Sequence, residues 1–339
     1  MKYNLVHKLL FVDTNVSNIY YFPYAPLLDN LIKGHSKYGV RFSVNEDVQK
    51  PEYLTQRFDY FWGRKDTKVI YYEHPVLLGI NAKLLLDMST DVYSITVNKT
   101  YYRLAKYKFE KVWPPGQHLA NLITLKLLQN NILTLHSASF SNKKTKEGYL
   151  ILAVSNTGKS YTTFAALEKG YEYHSEDLTI LDKNYIYTSP LISAQSSMLP
   201  NKNIFLKYNL FVSNLTGINM ILPKIPTLSS FRNFFSKHDV TYKAYPSRIF
   251  ILEKGTDSVC KLTGSEALRK ILILNRLELS YSRDHLLLAY SYFNTTLDME
   301  YILKVERELI QQIVDKAECF LVKSDFPDRY IGFINKLVK

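Results

Sequence analysis

Ala153–Ser160 reads AVSNTGKS, and the fold of this chain turns on that stretch. It follows YLILAV, a short apolar run of the kind that forms a buried strand. It precedes SYTTFAALEKG, which is helical in pattern and closes at Gly170. In a strand, a loop ending Gly-Lys-Ser and a helix, backbone N–H groups face one concavity. A lysine there reaches the β- and γ-phosphates, and a hydroxyl meets magnesium. Lys159 opens the helix, so the positive end of the helix dipole adds to the site. Ser155, Asn156, Thr157, Gly158, Lys159, Ser160 and Tyr161 are the candidate nucleotide-binding residues, with ATP or another nucleoside triphosphate and Mg2+ as cofactors. The pattern departs from G-x-x-x-x-G-K-[ST] at Ala153, which stands where the first glycine belongs. A methyl is tolerated there if φ stays negative, because the residues after it form most of the cradle.

Upstream, ILTLHSASF alternates like a strand and SNKKTKEG is a polar turn, so a hairpin brings His136 beside the loop. Downstream, YEYH and LTILD read as strands, with a turn at Asp182-Lys183-Asn184 into YIYT. Glu176 and Asp177 lie at the end of the first of these. Phosphoryl transfer to a hydroxyl needs a metal ligand and a carboxylate near the acceptor proton. Adjacent acidic residues point in different directions, so one can serve each role. Taken singly, a histidine on a strand is an ordinary core residue and an acidic pair is an ordinary solvated turn; the signal is their convergence on the loop. A zinc site built from His136, His174 and Glu176 lacks the HExxH type of spacing.

The first 110 or so residues carry short alternating runs such as TKVIYYEH and VYSITVNK and read as β-rich. Trp113-Pro114-Pro115-Gly116 punctuates the chain, and HLANLITLKLLQ follows at helical spacing. From about 190 to 245 no clear periodicity emerges. The basic, aromatic stretch from Phe231 to Tyr245 is expected to be a lid or acceptor-binding segment, with Arg232, Lys237 and Lys243 facing phosphate or an acidic peptide. A solvated surface loop is the other reading. From Ser247 the pattern recovers: RIFILEKG as a strand, TGSEALRKILILN as a helix, EYILKVERELIQQIVDKA as a long helix, FLVK as a strand and a last helix after Asp325. The expected architecture is α/β, with a β-rich N-terminal region over residues 1–112 and a P-loop domain over 113–339.

Hydrophobic content of 46% and charged content of 22% are those of a globular chain with a real core. No apolar run reaches the roughly eighteen residues of a membrane span, and MKYNLVHKLLFVDTN lacks the apolar stretch and cleavage site of a signal peptide. The expectation is a cytoplasmic protein without a membrane partner. Two cysteines, Cys260 and Cys319, exclude a disulfide scaffold or metal knuckle. The net charge of +12 fits either freely used surface lysine or an anionic partner. No segment matches a nucleic-acid module, so nucleic acid is not expected as that partner. A homo-oligomer is compatible with all of this.

LHSASFSNKKTKEGYLILAVSNTGKSYTTFAALEKGYEYHSED resembles the HPr kinase/phosphorylase superfamily, which shares its nucleotide fold with phosphoenolpyruvate carboxykinases. That family runs from a strand with a histidine through a hairpin, a GxxxxGKS loop and a helix ending in Gly to a strand ending in an Asp pair. SRIFILEKG and LTGSEALRKIL look like its distal strand and helix, so the likeness spans about residues 115–339. In style the chain is most similar to kinases of peptide-modification clusters, such as those acting on lasso-peptide precursors. The resemblance implies an HPr-kinase/PEP-carboxykinase-like core and an ATP-dependent kinase acting on a serine or similar hydroxyl of a peptide or small protein. It implies that Lys159 holds the phosphates, Ser160 and Asp177 serve the metal, Glu176 acts as base toward the acceptor and His136 stands next to the transferred phosphate. Glu176 departs from the family's Asp by one methylene, and Ala153 from its Gly. A nucleotide-binding sensor or scaffold without transfer, and a small-molecule kinase, remain as alternatives. The additional arginines and metal ligands of a carboxykinase are not found.

Overall fold

A computed structural model describes residues 2–6, 9–16, 37–77, 79–106, 118–189 and 241–338. The Trp113–Gly116 punctuation, the expected boundary at 112/113 and the expected lid as far as residue 240 lie outside them. The described chain forms two compact units: residues up to 126 with Ser280–Ile302, and residues 127–189, 241–279 and 303–338.

The first unit is built on the β-rich N-terminal region, which makes a sheet of its own. Its strands are β1 (Lys2–Val6), β2 (Leu10–Thr14), β3 (Tyr38–Asn45), β4 (Gln56–Phe58), β5 (Phe61–Gly63), β6 (Val69–Leu77), β7 (Ile80–Asp87) and β8 (Tyr93–Asn98). Their order is β1-β2-β3-β8-β7-β6-β5-β4, parallel only at β2–β3 and β3–β8. Every second residue turns inward: Leu10 and Val12, Ala82, Leu84 and Leu86, and Ile95 and Val97 are buried. Helix α1 (Lys99–Lys106) follows β8, and α2 (His118–Leu128) is the helix expected from HLANLITLKLLQ.

Residues 280–298 carried no expected element. The structure places there a short 3₁₀ turn, Tyr281–Arg283, and a helix, His285–Phe293. The segment HLLLAYSYF is apolar almost all round, so no amphipathic period marks it. Its N-cap, Asp284, accepts from the Leu286 and Leu287 N–H groups and from His118 Nδ1 at 2.8 Å. Burial alone would raise the Asp284 carboxyl. The charge and hydrogen bond of His118, with help from Asn121, outweigh it and hold the group below the usual carboxylate range.

The second unit holds the loop. Its strands are β9 (Leu133–Ser141), β10 (Glu147–Leu152), β11 (Glu172–Ser175), β12 (Leu178–Leu181), β13 (Ile186–Tyr187), β14 (Lys243–Glu253), β15 (Ser258–Lys261) and β16 (Glu318–Lys323). Helix α3 is Lys159–Glu168, α4 is Gly264–Glu278, α5 is the His285–Phe293 helix of the first unit, α6 is Met299–Val314 and α7 is Pro327–Leu337. Strand β9 is shared between two pairings. Its first half lies antiparallel to β12, Leu133–His136 against Leu178–Leu181; its second half, Ser137–Ser141, pairs β10 and β11. Strand β14 does the same, pairing β13 through Lys243–Ala244 and β10 beyond. The path β10-β9-β12-β13-β14 therefore returns to β10. Lys243 to Tyr245, expected in the lid, open β14 instead. Helices α3 and α7 cover one face of β9, β10, β14 and β16, burying Ala138, Phe140, Ile151, Phe250, Val322 and Ile334 in one cluster.

The opposite face of β9 is lined with hydroxyls. Ser139 Oγ and Ser175 Oγ lie 2.7 Å apart, and Thr179 Oγ1 donates to the Ser137 carbonyl. His174 is fully buried at the end of this row, against Thr188 Oγ1 and Ser141 Oγ. Burial first, and the charge of Lys146 second, push its ring pKa down to about 3. An unfolded histidine titrates near 6.5, so the folded state's advantage is complete above that pH. It is lost as the pH falls toward 3 and the unfolded chain takes up a proton that the buried ring refuses. His174→Gln keeps a polar side chain in this pocket without that proton. Urea midpoints between pH 7 and pH 4 should show the parent losing on the order of 3 kcal/mol more than the variant over that range.

Candidate active site

The loop forms where β10 ends and α3 begins. Asn156 at its tip has φ 66° and Gly158 has φ 123°. Asparagine tolerates the first value; the second needs glycine. Space enforces the same choice at Gly158, because a Cβ there would stand 2.9 Å from Pro327 Cβ at the start of α7. Thr157 is buried, Val154, Ser155 and Asn156 are exposed, and Ser160 and Tyr161 occupy the first turn of α3. Ala153 keeps a negative φ, as its position requires. Its methyl also belongs to the core cluster, at 0% exposure with Ala166 and Tyr330. The alanine is thus a core residue as well as the entry to the loop.

Three of the expected residues meet here. Lys159 Nζ donates to His136 Nε2 at 2.7 Å and to Asp177 Oδ1 at 3.2 Å, and His136 Nδ1 lies 3.6 Å from the same Asp177 oxygen. An ammonium has only donors, so the short contact needs a neutral ring with its lone pair on Nε2. The electrostatics agree. Burial first, then the Lys159 charge, hold the His136 pKa below its ordinary value against Asp177 and Glu278. Burial also lowers the Lys159 pKa, with Asp177, Glu278 and Glu176 opposing it. The acidic pair is divided by exposure: Glu176 is buried at 1%, while the Asp177 side chain keeps 37%. His174 is held in the hydroxyl row of β9. Among the described residues no group of three or more His, Cys, Asp or Glu side chains is arranged to hold a metal ion by itself.

Two further residues come from α4. Glu278 Oε1 accepts from the Ser155 backbone N–H at 3.2 Å and from Ser155 Oγ at 3.0 Å, and lies 4.0 Å from His136 Nε2. Glu278 thus places an anionic oxygen on one loop N–H and one loop hydroxyl. Asn275 is buried behind His136. Its Oδ1 accepts from the His136 N–H at 2.9 Å, and its Nδ2 donates to the Thr134 carbonyl and to Glu306 Oε1. The sequence offered one signal for it. The buried face of α4 runs Ala267, Leu268, Ile271, Leu272, Asn275, so a polar residue occupies an apolar stripe. For Glu278 it offered none.

No family model and no curated protein matches the chain. Among solved structures it is similar to the Hpr(Ser) kinase/phosphatase from Coxiella burnetii, at 12% identity over 38% of this chain and 76% of that chain, with a TM-score of 0.23. A score that low does not establish a shared fold.

Two substitutions test the scaffold of the site. Ala153→Gly removes a buried methyl and adds chain entropy to the unfolded state, so it should cost about 1.5 kcal/mol in denaturant unfolding. Asn275→Ala leaves the His136 N–H, the Thr134 carbonyl and Glu306 without this partner inside the protein, and should cost about 3 kcal/mol. A loss below about 0.5 kcal/mol would show that the amide is not a structural joint.

Proposed function

We propose that the chain is a nucleotide-dependent phosphotransferase acting on a serine or similar hydroxyl of a peptide or small protein. The observation that carries the reading is the convergence of Lys159, His136 and Asp177 on a Gly-Lys-Ser loop at a helix N-terminus. The loop N–H groups and Lys159 would hold the β- and γ-phosphates of ATP. Ser160 and Asp177 offer the oxygen donors that Mg2+ prefers. When bound, the nucleotide supplies the phosphoryl group and the metal neutralises its charge.

The chain's own residues do the rest. Lys159 brings positive charge where negative charge develops. His136, neutral and pinned by Asn275, carries its proton on Nδ1 while Lys159 donates to Nε2. Once Lys159 turns to the phosphates, a change of tautomer would let Nε2 donate toward the transferred group. An acceptor hydroxyl must lose its proton, and the half-exposed Asp177 carboxylate is within its reach. The buried Glu176 is the less accessible of the pair, so we assign the base to Asp177, and to Glu176 a part in the field around Lys159. Asp177 would thus face both the metal and the acceptor.

The test is transfer of the γ-phosphate of ATP to serine-containing peptides, with and without Mg2+. Lys159→Ala should abolish transfer and most ATP affinity. Asp177→Asn should lower transfer by about 10² to 10⁴. Glu176→Gln should lower it less. Transfer that survives Lys159→Ala unchanged would remove the loop from the mechanism; a larger loss in Glu176→Gln than in Asp177→Asn would return the base to Glu176. One observation favours a second reading, nucleotide binding without transfer: a carboxylate of the chain already lies on the loop. ATP binding by calorimetry with no product on any peptide would support it.

A further inference from the structure

We infer that Glu278 is a built-in competitor for the phosphate seat, so that a polyphosphate binds only when this carboxylate leaves the loop. The inference rests on the loop being a phosphate site. The carboxylate sits at the last residue of α4 and holds Ser155 at two points, its backbone N–H and its hydroxyl. Ser155 is the third residue of the loop pattern, and its N–H is the loop donor that the carboxylate occupies. The same oxygen is 4.0 Å from His136 Nε2, and that nitrogen takes a hydrogen bond from Lys159. Glu278 therefore puts an anionic oxygen on the loop at Ser155, with the His136 ring 4.0 Å away and Lys159 within its field.

A second anion cannot use that seat while the first is present. Two negative groups at about 4 Å repel strongly in a partly buried site, and the Ser155 N–H has one hydrogen to give. The Glu278 side chain keeps 26% exposure and ends a helix, so rotation into solvent opens the seat without disturbing the core. Apparent affinity is then reduced by the fraction of molecules in which the seat is free. The penalty should be largest for a polyphosphate without a cation, because a divalent ion between the phosphates and the displaced carboxylate turns repulsion into attraction. Glu278 would thus select the metal-bound nucleotide over the free one.

The experiment is calorimetry on the full chain with three probes: inorganic pyrophosphate, ATP in EDTA, and ATP with Mg2+. Glu278→Gln should tighten binding of the two metal-free probes about tenfold, the change expected if the carboxylate covers the seat in about nine molecules of ten. It should alter ATP with Mg2+ less. Glu278→Asp, shorter by one methylene, should fall between parent and Gln, because the charge remains but its reach to Ser155 is lost. Unchanged or weaker metal-free binding in Glu278→Gln overturns the inference. Lys159→Ala separates this result from the proposed function. If Lys159→Ala abolishes binding and Glu278→Gln does not tighten it, the competitor is wrong and the site is right. If Glu278→Gln tightens pyrophosphate and no peptide is phosphorylated, the competitor is right and the transferase is wrong. Failure of parent and variant alike to bind any of the three probes overturns both.

Discussion

One side-chain amide holds the candidate site in register. Strand β9 pairs β10 only from Ser137 onward, so just before that point its backbone leaves a strand neighbour behind. Asn275 takes the neighbour's place, accepting from the His136 N–H and donating to the Thr134 carbonyl as a paired residue would. A second donor hydrogen goes to Glu306, itself fully buried. The cost of unpaired backbone groups in this position makes the joint obligatory. Its consequence reaches the candidate site: the His136 backbone is fixed at the level of the loop, and Lys159 and Asp177 meet the His136 ring. The same helix, α4, brings Glu278 within 4.0 Å of the ring at Nε2, so one element sets both the histidine and a carboxylate beside it.

The loop itself is held by packing from behind. Gly158 has no room for a Cβ because Pro327 caps it, and Tyr330 of the same helix is fully buried, its hydroxyl on the carbonyls of Glu253 and Ser324. The α7 helix thus presses the loop, the end of β14 and the chain after β16 together. Within this arrangement an alanine fits where the pattern has its first glycine. Ala153 keeps a negative φ and spends its methyl in the core that α3 and α7 share.

Much of the second unit could be read from local pattern. The strand–loop–helix at Ala153–Ser160, the hairpin carrying His136, the turn at Asp182-Lys183-Asn184 and the later α4, α6, β16 and α7 follow from periodicity, turn residues and caps, and all are present. Elements defined by tertiary context were not legible. The helix His285–Phe293 shows no amphipathic period. The strand Ser258–Lys261 is exposed at every residue and exists because β16 pairs with it. The start of β14 alternates only from Lys243 to Tyr245 before the strand changes partners, too short a run to mark a strand. Around the site, the sequence distinguished residues by type and not by exposure. It could not tell that Glu176 is buried and Asp177 half-open, nor that a residue over a hundred positions beyond the loop would return to Ser155.

Charge adds a last constraint. The chain as a whole is basic at +12, yet three carboxylates, Glu176, Asp177 and Glu278, act on the single ammonium of Lys159. Excess lysine gathers elsewhere: Lys143, Lys144 and Lys169 border an open cavity of about 490 Å³ at the end of α3 opposite the loop. The net charge therefore does not describe the local field at the loop. At the loop, the proposed attraction for phosphate would come from the helix N-terminus and one lysine, and would work against three surrounding carboxylates. On the proposed reading, a site so composed would favour an anion that brings its own cations over the bare anion that the overall composition would suggest.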